Sequence, residues 1–176
     1  EMIIHKVCNF IKENDLSKTT IKYIDINISP LQLLQKGFAK KMLEIMKQYE
    51  VEPWQINVEI TETAMMTSSA VVSENLKELV KNNISISLDD YGSGYASINY
   101  INSMPFKTIK LDKDIVQASF EEHKARITME HTIRMLNALE LSIIAEGVET
   151  QEMKDELVGF GCHYLQGWYY SKAVPE

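Results

Sequence analysis

The sequence predicts an α/β protein built of repeated strand–helix units. Short runs rich in β-branched residues alternate with longer segments whose apolar residues recur at helical spacing. Successive runs lie roughly 20–35 residues apart, which is enough for one strand and one returning helix. Such units join parallel strands through right-handed crossovers. An antiparallel sheet with one wet face is the alternative, since alternation along a strand also fits it.

Six segments carry the strand pattern: residues 21–29, 54–61, 84–90, 107–112, 141–147 and 162–170. The helical pattern covers residues 30–50, 69–83, 114–140 and 150–161, with a shorter stretch at 97–104. Asn83 and Gly161 stand just past helix ends, where they suit stop signals. Because about six units fall short of the eight in a closed barrel, we predict a (β/α)₈ TIM-type barrel, here incomplete with about six of its eight strands. Helical spacing starts almost at the first residue, so we expect a fragment whose missing strands precede it.

The composition narrows the class of protein. With 176 residues, 45% of them hydrophobic and 24% charged, the chain fits one ordinary globular domain over residues 1–176. A net charge of −7 argues against a long nucleic-acid partner, but it allows a small phosphorylated ligand held through metal ions. The two cysteines lie far apart and indicate neither a disulfide framework nor a zinc knuckle. Without a transmembrane-length apolar run or a signal peptide, we expect a cytoplasmic protein.

Strand alternation places polar side chains inside the predicted barrel. Along each strand, alternate positions (one parity) are apolar and suit the helix-covered outer face. Near the carboxyl end, a polar residue occupies a position of the other parity. These six residues are Asn27, Glu59, Asp89, Lys110, Glu146 and Gln166. Barrel interiors are normally filled by Val, Ile and Leu, and active sites lie at the carboxyl rim. A single buried polar residue is more often a satisfied core group, but six at one rim predict an active site.

Acidic residues dominate this predicted rim. Glu59, Asp89, Asp90 and Glu146 converge there, Glu149 follows closely, and their charges would repel one another. An all-oxygen ligand set favours two Mg²⁺ or Mn²⁺ ions over zinc. Such a site favours attack of a metal-activated water on a phosphodiester.

Lys110 then serves as an electrostatic partner of the water or phosphate, and Glu146 is a candidate base. A sugar isomerase or aldolase with Lys110 as Schiff-base lysine is the alternative enzyme class. The surrounding carboxylates weigh against that alternative, because they favour the charged ammonium over the free amine.

Six motifs then carry a family resemblance. They are "DINIS" at 25–29, "VEITET" at 58–63, "DDYGSGYAS" at 89–97, "IKLDK" at 109–113, "AEGVET" at 145–150 and "LQGWYYSKAVP" at 165–175. In this order and spacing they resemble the EAL-domain family of cyclic di-GMP phosphodiesterases, over essentially the whole chain. The resemblance implies a (β/α)₈ barrel with one antiparallel strand, and hydrolysis of one phosphodiester of cyclic di-GMP to linear pGpG.

The resemblance also implies roles for the site residues. The ligands of two Mg²⁺ or Mn²⁺ ions would be Asn27, Glu59, Asp89, Asp90 and Glu149. Lys110 and Glu146 would position and deprotonate the attacking water, with Gln166 completing the catalytic network.

The glycine-rich loop is implied to link the metal site to a homodimer contact. Glu62 would hold this loop, and Gly92 and Gly94 would serve as its hinges. The Glu-Ala-Leu tripeptide of the family is absent from the sequence, which we interpret as truncation of an active parent. We therefore expect this fragment alone to be weakly active or inactive. A non-catalytic cyclic di-GMP receptor is the alternative function, while no feature favours a mere interaction platform.

Overall fold

A computed structural model describes residues 2–65, 69–94 and 98–172 of the chain. These residues fall into two compact units. Unit 1 comprises the described residues of 2–87 and 98–106, and unit 2 comprises those of 88–94 and 107–172. The ends of two motifs, residues 95–97 and 173–175, lie outside the described residues.

Six strands form one sheet whose order follows the chain, β1-β2-β3-β4-β5-β6. They are β1 Ile24–Asn27, β2 Ile56–Thr61, β3 Ser85–Tyr91, β4 Thr108–Leu111, β5 Ser142–Ala145 and β6 Tyr164–Leu165. Strand β1 pairs with β2, β4 with β5, and β5 with β6, in each case in parallel. The predicted α/β fold class is therefore confirmed, and the antiparallel alternative is wrong.

Helices separate the strands along the chain. They are α1 Met2–Glu13, α2 Pro30–Leu33, α3 Phe38–Gln48, α4 Glu62–Met65, α5 Ala70–Lys81, α6 Ile98–Ser103, α7 Lys113–Glu121, α8 His123–Ala138 and α9 Gln151–Phe160. The stop signals behave as predicted, since Asn83 (φ +65°) and Gly161 (φ +101°) adopt the left-handed conformation just past α5 and α9. Among the described residues, no helix has both the length and the apolarity needed to cross a membrane.

Two segments predicted as single helices are each divided. The segment 30–50 breaks before α3, where Gly37 adopts φ +75°, and 114–140 breaks at Glu122, whose backbone is extended. The first break is fixed from a distance by the buried side chain of Asn75 on α5. Its amide nitrogen donates to the carbonyl oxygens of Leu33 (2.8 Å) and Gln35 (2.9 Å), and its oxygen accepts from an α3 amide.

The predicted strand 162–170 is shortened to β6. It ends at Leu165, and Gly167 follows, where a Cβ would meet the backbone oxygen of Val148 at 2.2 Å, so this close approach requires glycine. The chain then turns, and the amides of Tyr170 and Ser171 donate to the Gly167 carbonyl.

Several polar residues on the predicted inner parity are buried, among them Asn57, Glu59 and Lys110, and so are most residues on the predicted outer parity. The buried residues on this parity are Ile26, Ile28, Ile56, Val58, Ile60, Ile84, Ile86, Leu88, Ile109 and Leu111. Burial of such a side chain stabilises the fold by about 2 kcal/mol. These residues orient the strands, so that alternate polar side chains turn to the opposite face.

Candidate functional site

A buried lysine lies between two carboxylates in unit 2. The Nζ atom of Lys110 on β4 lies 3.0 Å from Oδ1 of Asp89 on β3. It also lies 2.8 Å from Oε1 of Glu146, just past the end of β5. Lys110 is only 7% exposed, so its charge is balanced mainly by these two acids.

Strand geometry brings these three residues together. Ile109 and Leu111 are fully buried on one face of β4, which turns Lys110 to the other face. The Glu146 amide donates to the Leu111 carbonyl oxygen at 3.1 Å, and this contact fixes the start of the loop after β5. Three side chains that strand parity had assigned to one rim thus meet in the structure.

The two lysine-bound oxygens are held by charge rather than by directed hydrogen bonds. Oδ1 of Asp89 and Oε1 of Glu146 are both buried, and within the described residues neither accepts a hydrogen bond of good geometry. Their short distances to Lys110 are ion-pair contacts. Buried carboxylate oxygens in this state are suited to a cation, which needs no particular donor direction.

Asp90 adds a further acid to the cluster. Its backbone adopts φ +56°, an uncommon conformation for a residue other than glycine. Burial raises the pKa of Asp90, repulsion from Asp89, Asp112 and Glu146 raises it further, and Lys110 opposes these effects. The cluster is therefore short of positive charge, since one lysine faces several acids.

Glu149 is held by two side chains of α7. Its Oε1 atom lies 3.3 Å from Nζ of Lys113 and accepts a hydrogen bond of 3.1 Å from Nε2 of Gln117. The ammonium of Lys113 also lies 5.2 Å from the ring centre of Trp168. At Gly147 (φ +69°) a Cβ would lie 2.4 Å from Cγ of Lys113, so this close approach requires glycine. Sequence reasoning missed both α7 residues, although their spacing of four places them on one helix face.

The structure places Gln166 beside the same loop through its backbone. The Gln166 amide donates to the Ala145 carbonyl oxygen (2.9 Å), and its own carbonyl oxygen accepts from the Val148 amide (3.1 Å). The residue is exposed, and its contacts with the described residues are these backbone bonds. Its catalytic role stays a prediction.

The remaining predicted ligands lie in unit 1. Asn27 and Glu59 face each other in the register of β1 and β2, with Asn27 exposed and Glu59 buried. Beside them, the Asn57 side chain donates to Oδ1 of Asp25 (2.6 Å) and to Oγ of Ser87 (2.7 Å). The sequence analysis had not assigned Asp25, Asn57 and Ser87 to the site.

The loop residues also lie in both units. Glu62 begins α4 in unit 1 and is buried, whereas Gly92 (φ +99°) and Gly94 (φ +137°) belong to unit 2. A Cβ at Gly92 would lie 2.4 Å from Cδ1 of Ile115, so the loop packs closely on α7. The positive φ angles suit a hinge, and the control of dimerisation stays a prediction.

The donor atoms of these residues are of the kind that binds a divalent cation, but the side chains are not arranged as a formed metal site. The carboxylates of Asp89, Asp90 and Glu149 suit a hard divalent cation, and two buried carboxylate oxygens lack hydrogen bonds. Within the described ranges, however, no three His, Cys, Asp or Glu side chains stand together as a metal-binding group. In this arrangement Lys110 supplies the countercharge.

Fold and site together define a βα-type domain with an acid-and-lysine cluster at the carboxyl ends of its strands. A family model for the EAL domain matches residues 1–173, and the chain belongs to that family.

Several known proteins resemble the chain. It is 36% identical over 154 residues to the cyclic di-GMP phosphodiesterase PdeL of Escherichia coli, covering 87% of this chain and 42% of that protein. It is 30% identical over 150 residues to the cyclic di-GMP phosphodiesterase RocR of Pseudomonas aeruginosa, covering 85% of this chain and 38% of RocR. The chain thus spans about two fifths of the length of these relatives.

The fold matches solved structures. The PaMucR phosphodiesterase in complex with c-di-GMP superposes with a TM-score of 0.89 at 25% identity, covering 99% of this chain and 70% of that chain. The EAL domain of Mycobacterium smegmatis DcpA superposes with a TM-score of 0.87 at 26% identity, covering 97% of this chain and 77% of that chain.

Proposed function

We propose that the protein hydrolyses one phosphodiester bond of cyclic di-GMP to give linear pGpG. The observation that carries the proposal is the buried Lys110 ammonium between the carboxylates of Asp89 and Glu146. Relatives named as cyclic di-GMP phosphodiesterases support the choice of substrate, and so does a similar structure in complex with c-di-GMP.

The side chains divide the work of the hydrolysis. The oxygen of a water molecule bonds to phosphorus, the phosphorus–O3′ bond breaks, and the O3′ leaving group takes up a proton. Glu146 accepts the proton that the attacking water loses, at a carboxylate whose Oε1 lies 2.8 Å from Nζ of Lys110. The Lys110 ammonium also holds Asp89 and stabilises negative charge that develops on the phosphoryl oxygens.

A divalent cation, Mg²⁺ or Mn²⁺, belongs to the same proposal. Two such ions would be held by Asn27, Glu59, Asp89, Asp90 and Glu149. When bound, they polarise the phosphoryl oxygens and increase the acidity of a coordinated water. The side chain of Gln166 would complete the water network. An Asp89→Asn variant with full turnover would refute the metal assignment.

Assembly and location are further parts of the proposal. The glycine-rich loop at residues 89–95 contributes to a homodimer contact, with Glu62 as its latch, in a single EAL domain that acts in the cytoplasm. The left-handed glycines of the loop support its role as a hinge. Equal activity and equal dimer content in a Glu62→Ala variant would contradict the role of Glu62 as latch.

A second candidate function is binding of cyclic di-GMP without hydrolysis. The observation in its favour is that Lys110 already neutralises two acids, while the described part of the chain holds no ready group of three metal-binding side chains. A receptor would bind cyclic di-GMP and show no turnover.

The deciding experiment incubates the longest natural form of the protein with cyclic di-GMP and Mg²⁺ or Mn²⁺, and resolves the products by chromatography. We expect linear pGpG from the wild type and almost none from a Glu146→Gln variant. A Lys124→Met variant, changed at an exposed position on α8, is the control. Tight binding without any linear product would replace the hydrolase proposal by the receptor proposal.

A further inference from the structure

The contacts of Glu149 fall on one of its two carboxylate oxygens. Lys113 Nζ and Gln117 Nε2 approach the same atom, Oε1, at 3.3 and 3.1 Å. A carboxylate held at one oxygen by two donors has a restricted rotation about its last side-chain bond. A cation that binds this carboxylate would therefore meet the second oxygen, Oε2.

The two donors lie on the first turns of α7 in unit 2, which are capped and packed against the core. Lys113 and Gln117 lie one turn apart at the start of α7, where the Asp112 side chain caps the helix by accepting from the Asp114 amide at 2.8 Å. Val116, between them on the helix, is fully buried. The α7 surface thus acts as a fixed support beneath the loop that carries Glu149.

Lys113 and Gln117 contribute differently. Lys113 carries a charge that attracts Glu149 but competes with any cation at that carboxylate, and both of these side chains are partly exposed. Gln117 is neutral, so its hydrogen bond orients the carboxylate without this competition. Its Nε2 also lies 3.5 Å from the Gly147 carbonyl oxygen, which ties it to the same loop.

We propose that Gln117, supported by Lys113, is a positioning residue that fixes which oxygen of Glu149 faces a bound cation. The inference rests on the proposed function, in which Glu149 is a cation ligand. Groups that orient a metal ligand through its second donor or acceptor typically change metal affinity by about 10–100-fold when they are removed. For one partly exposed hydrogen bond we expect the lower end of that range.

The test compares Gln117→Leu with Gln48→Leu, the same substitution at an exposed position on α3. The dissociation constant for Mn²⁺ is measured by titration calorimetry in the longest natural form of the protein, without cyclic di-GMP. We expect Gln117→Leu to bind Mn²⁺ about 10-fold more weakly than the control. Its kcat should recover at saturating Mn²⁺, which a general loss of structure would not allow.

A second variant, Gln117→Met, roughly keeps the length of the side chain and removes the Nε2 donor. It should weaken Mn²⁺ binding about as much as the leucine variant does, and it provides the test if the leucine variant does not fold.

The possible failures are distinguishable. If the wild type binds Mn²⁺ and hydrolyses cyclic di-GMP while both Gln117 variants bind like the control, the inference is wrong and the proposed function stands. If the wild type neither binds Mn²⁺ nor forms linear product, the proposed function fails and the inference fails with it.

Discussion

Removal of the buried ammonium of Lys110 should destabilise unit 2 strongly. In a Lys110→Met variant, Asp89 and Glu146 lose the cation that lies 3.0 and 2.8 Å from their oxygens. Loss of one partner of a buried ion pair costs about 3–5 kcal/mol. Because the two acid side chains retain 13% and 20% exposure, we expect the lower value, about 3 kcal/mol.

The two cysteines allow this loss to be measured separately in each unit. Cys162 is buried in unit 2, Cys8 is buried in unit 1, and both are free thiols. In proteins that retain one cysteine each, the rate of labelling by a thiol reagent reports the free energy of opening around that residue. About 3 kcal/mol corresponds to labelling of Cys162 that is roughly 100-fold faster. Cys8 should change much less.

Two further variants separate charge from packing. Lys124→Met, at an exposed position, should label like the wild type. Combining Lys110→Met with Asp89→Asn and Glu146→Gln removes the unpaired charges and should restore most of the protection of Cys162. If Lys110→Met alone left the labelling rate of Cys162 unchanged in metal-free buffer, the ion pairs would not stabilise unit 2 and the reasoning would be refuted.

Three other predictions concern local packing. A Gly147→Ala variant should lose about 1–3 kcal/mol of unfolding free energy, because φ is +69° there and the added Cβ would meet Lys113. The control Gly159→Ala, on α9, should be neutral or stabilising. Thermal melting of both variants measures the difference. An Asn75→Leu variant removes the Asn75 partners of the Leu33 carbonyl and the Ala39 amide, and the Gln35 carbonyl keeps only the Phe38 amide. Its urea midpoint should fall by an amount equivalent to roughly 2–5 kcal/mol, and an unchanged midpoint would contradict this. Burial raises the pKa of the Cys162 thiol from 9.0 to about 11. The contribution of the neutral thiol to the free energy of unfolding is therefore fully present below pH 9 and falls towards pH 11. In denaturation experiments the wild type should lose about 3 kcal/mol over this range relative to a Cys162→Ala variant.

The fold class is predictable from the sequence because buried positions recur periodically along each strand and helix and are occupied by apolar residues. Both faces of β2 are buried, but Ile56, Val58 and Ile60 share one face and alternate with polar residues on the other. This alternation is visible without the structure. The same parity places Asp89 and Lys110 on one rim, where the structure brings them together.

Contacts between residues distant in the chain produce no such periodic pattern in the sequence. Gln117 donates to Glu149 over a sequence separation of 32 residues, and no local sequence pattern predicts a hydrogen bond of that kind. The break of the predicted helix 30–50 depends on Asn75, which supplies its hydrogen bonds from another helix. At Glu122 the helical spacing of apolar residues continues across the break, because that spacing does not report the backbone angles of a single residue.

We propose that Glu146, held by Lys110, accepts the proton of a water that attacks cyclic di-GMP. This role is tested by the rate of linear pGpG formation by the wild type and by Glu146→Gln at saturating Mn²⁺, followed by chromatography. We expect turnover by the wild type and a loss of about 10²–10⁴-fold in the variant, as for removal of a general base. Equal rates in the two proteins, or cyclic di-GMP bound by the wild type and recovered uncleaved, would contradict it.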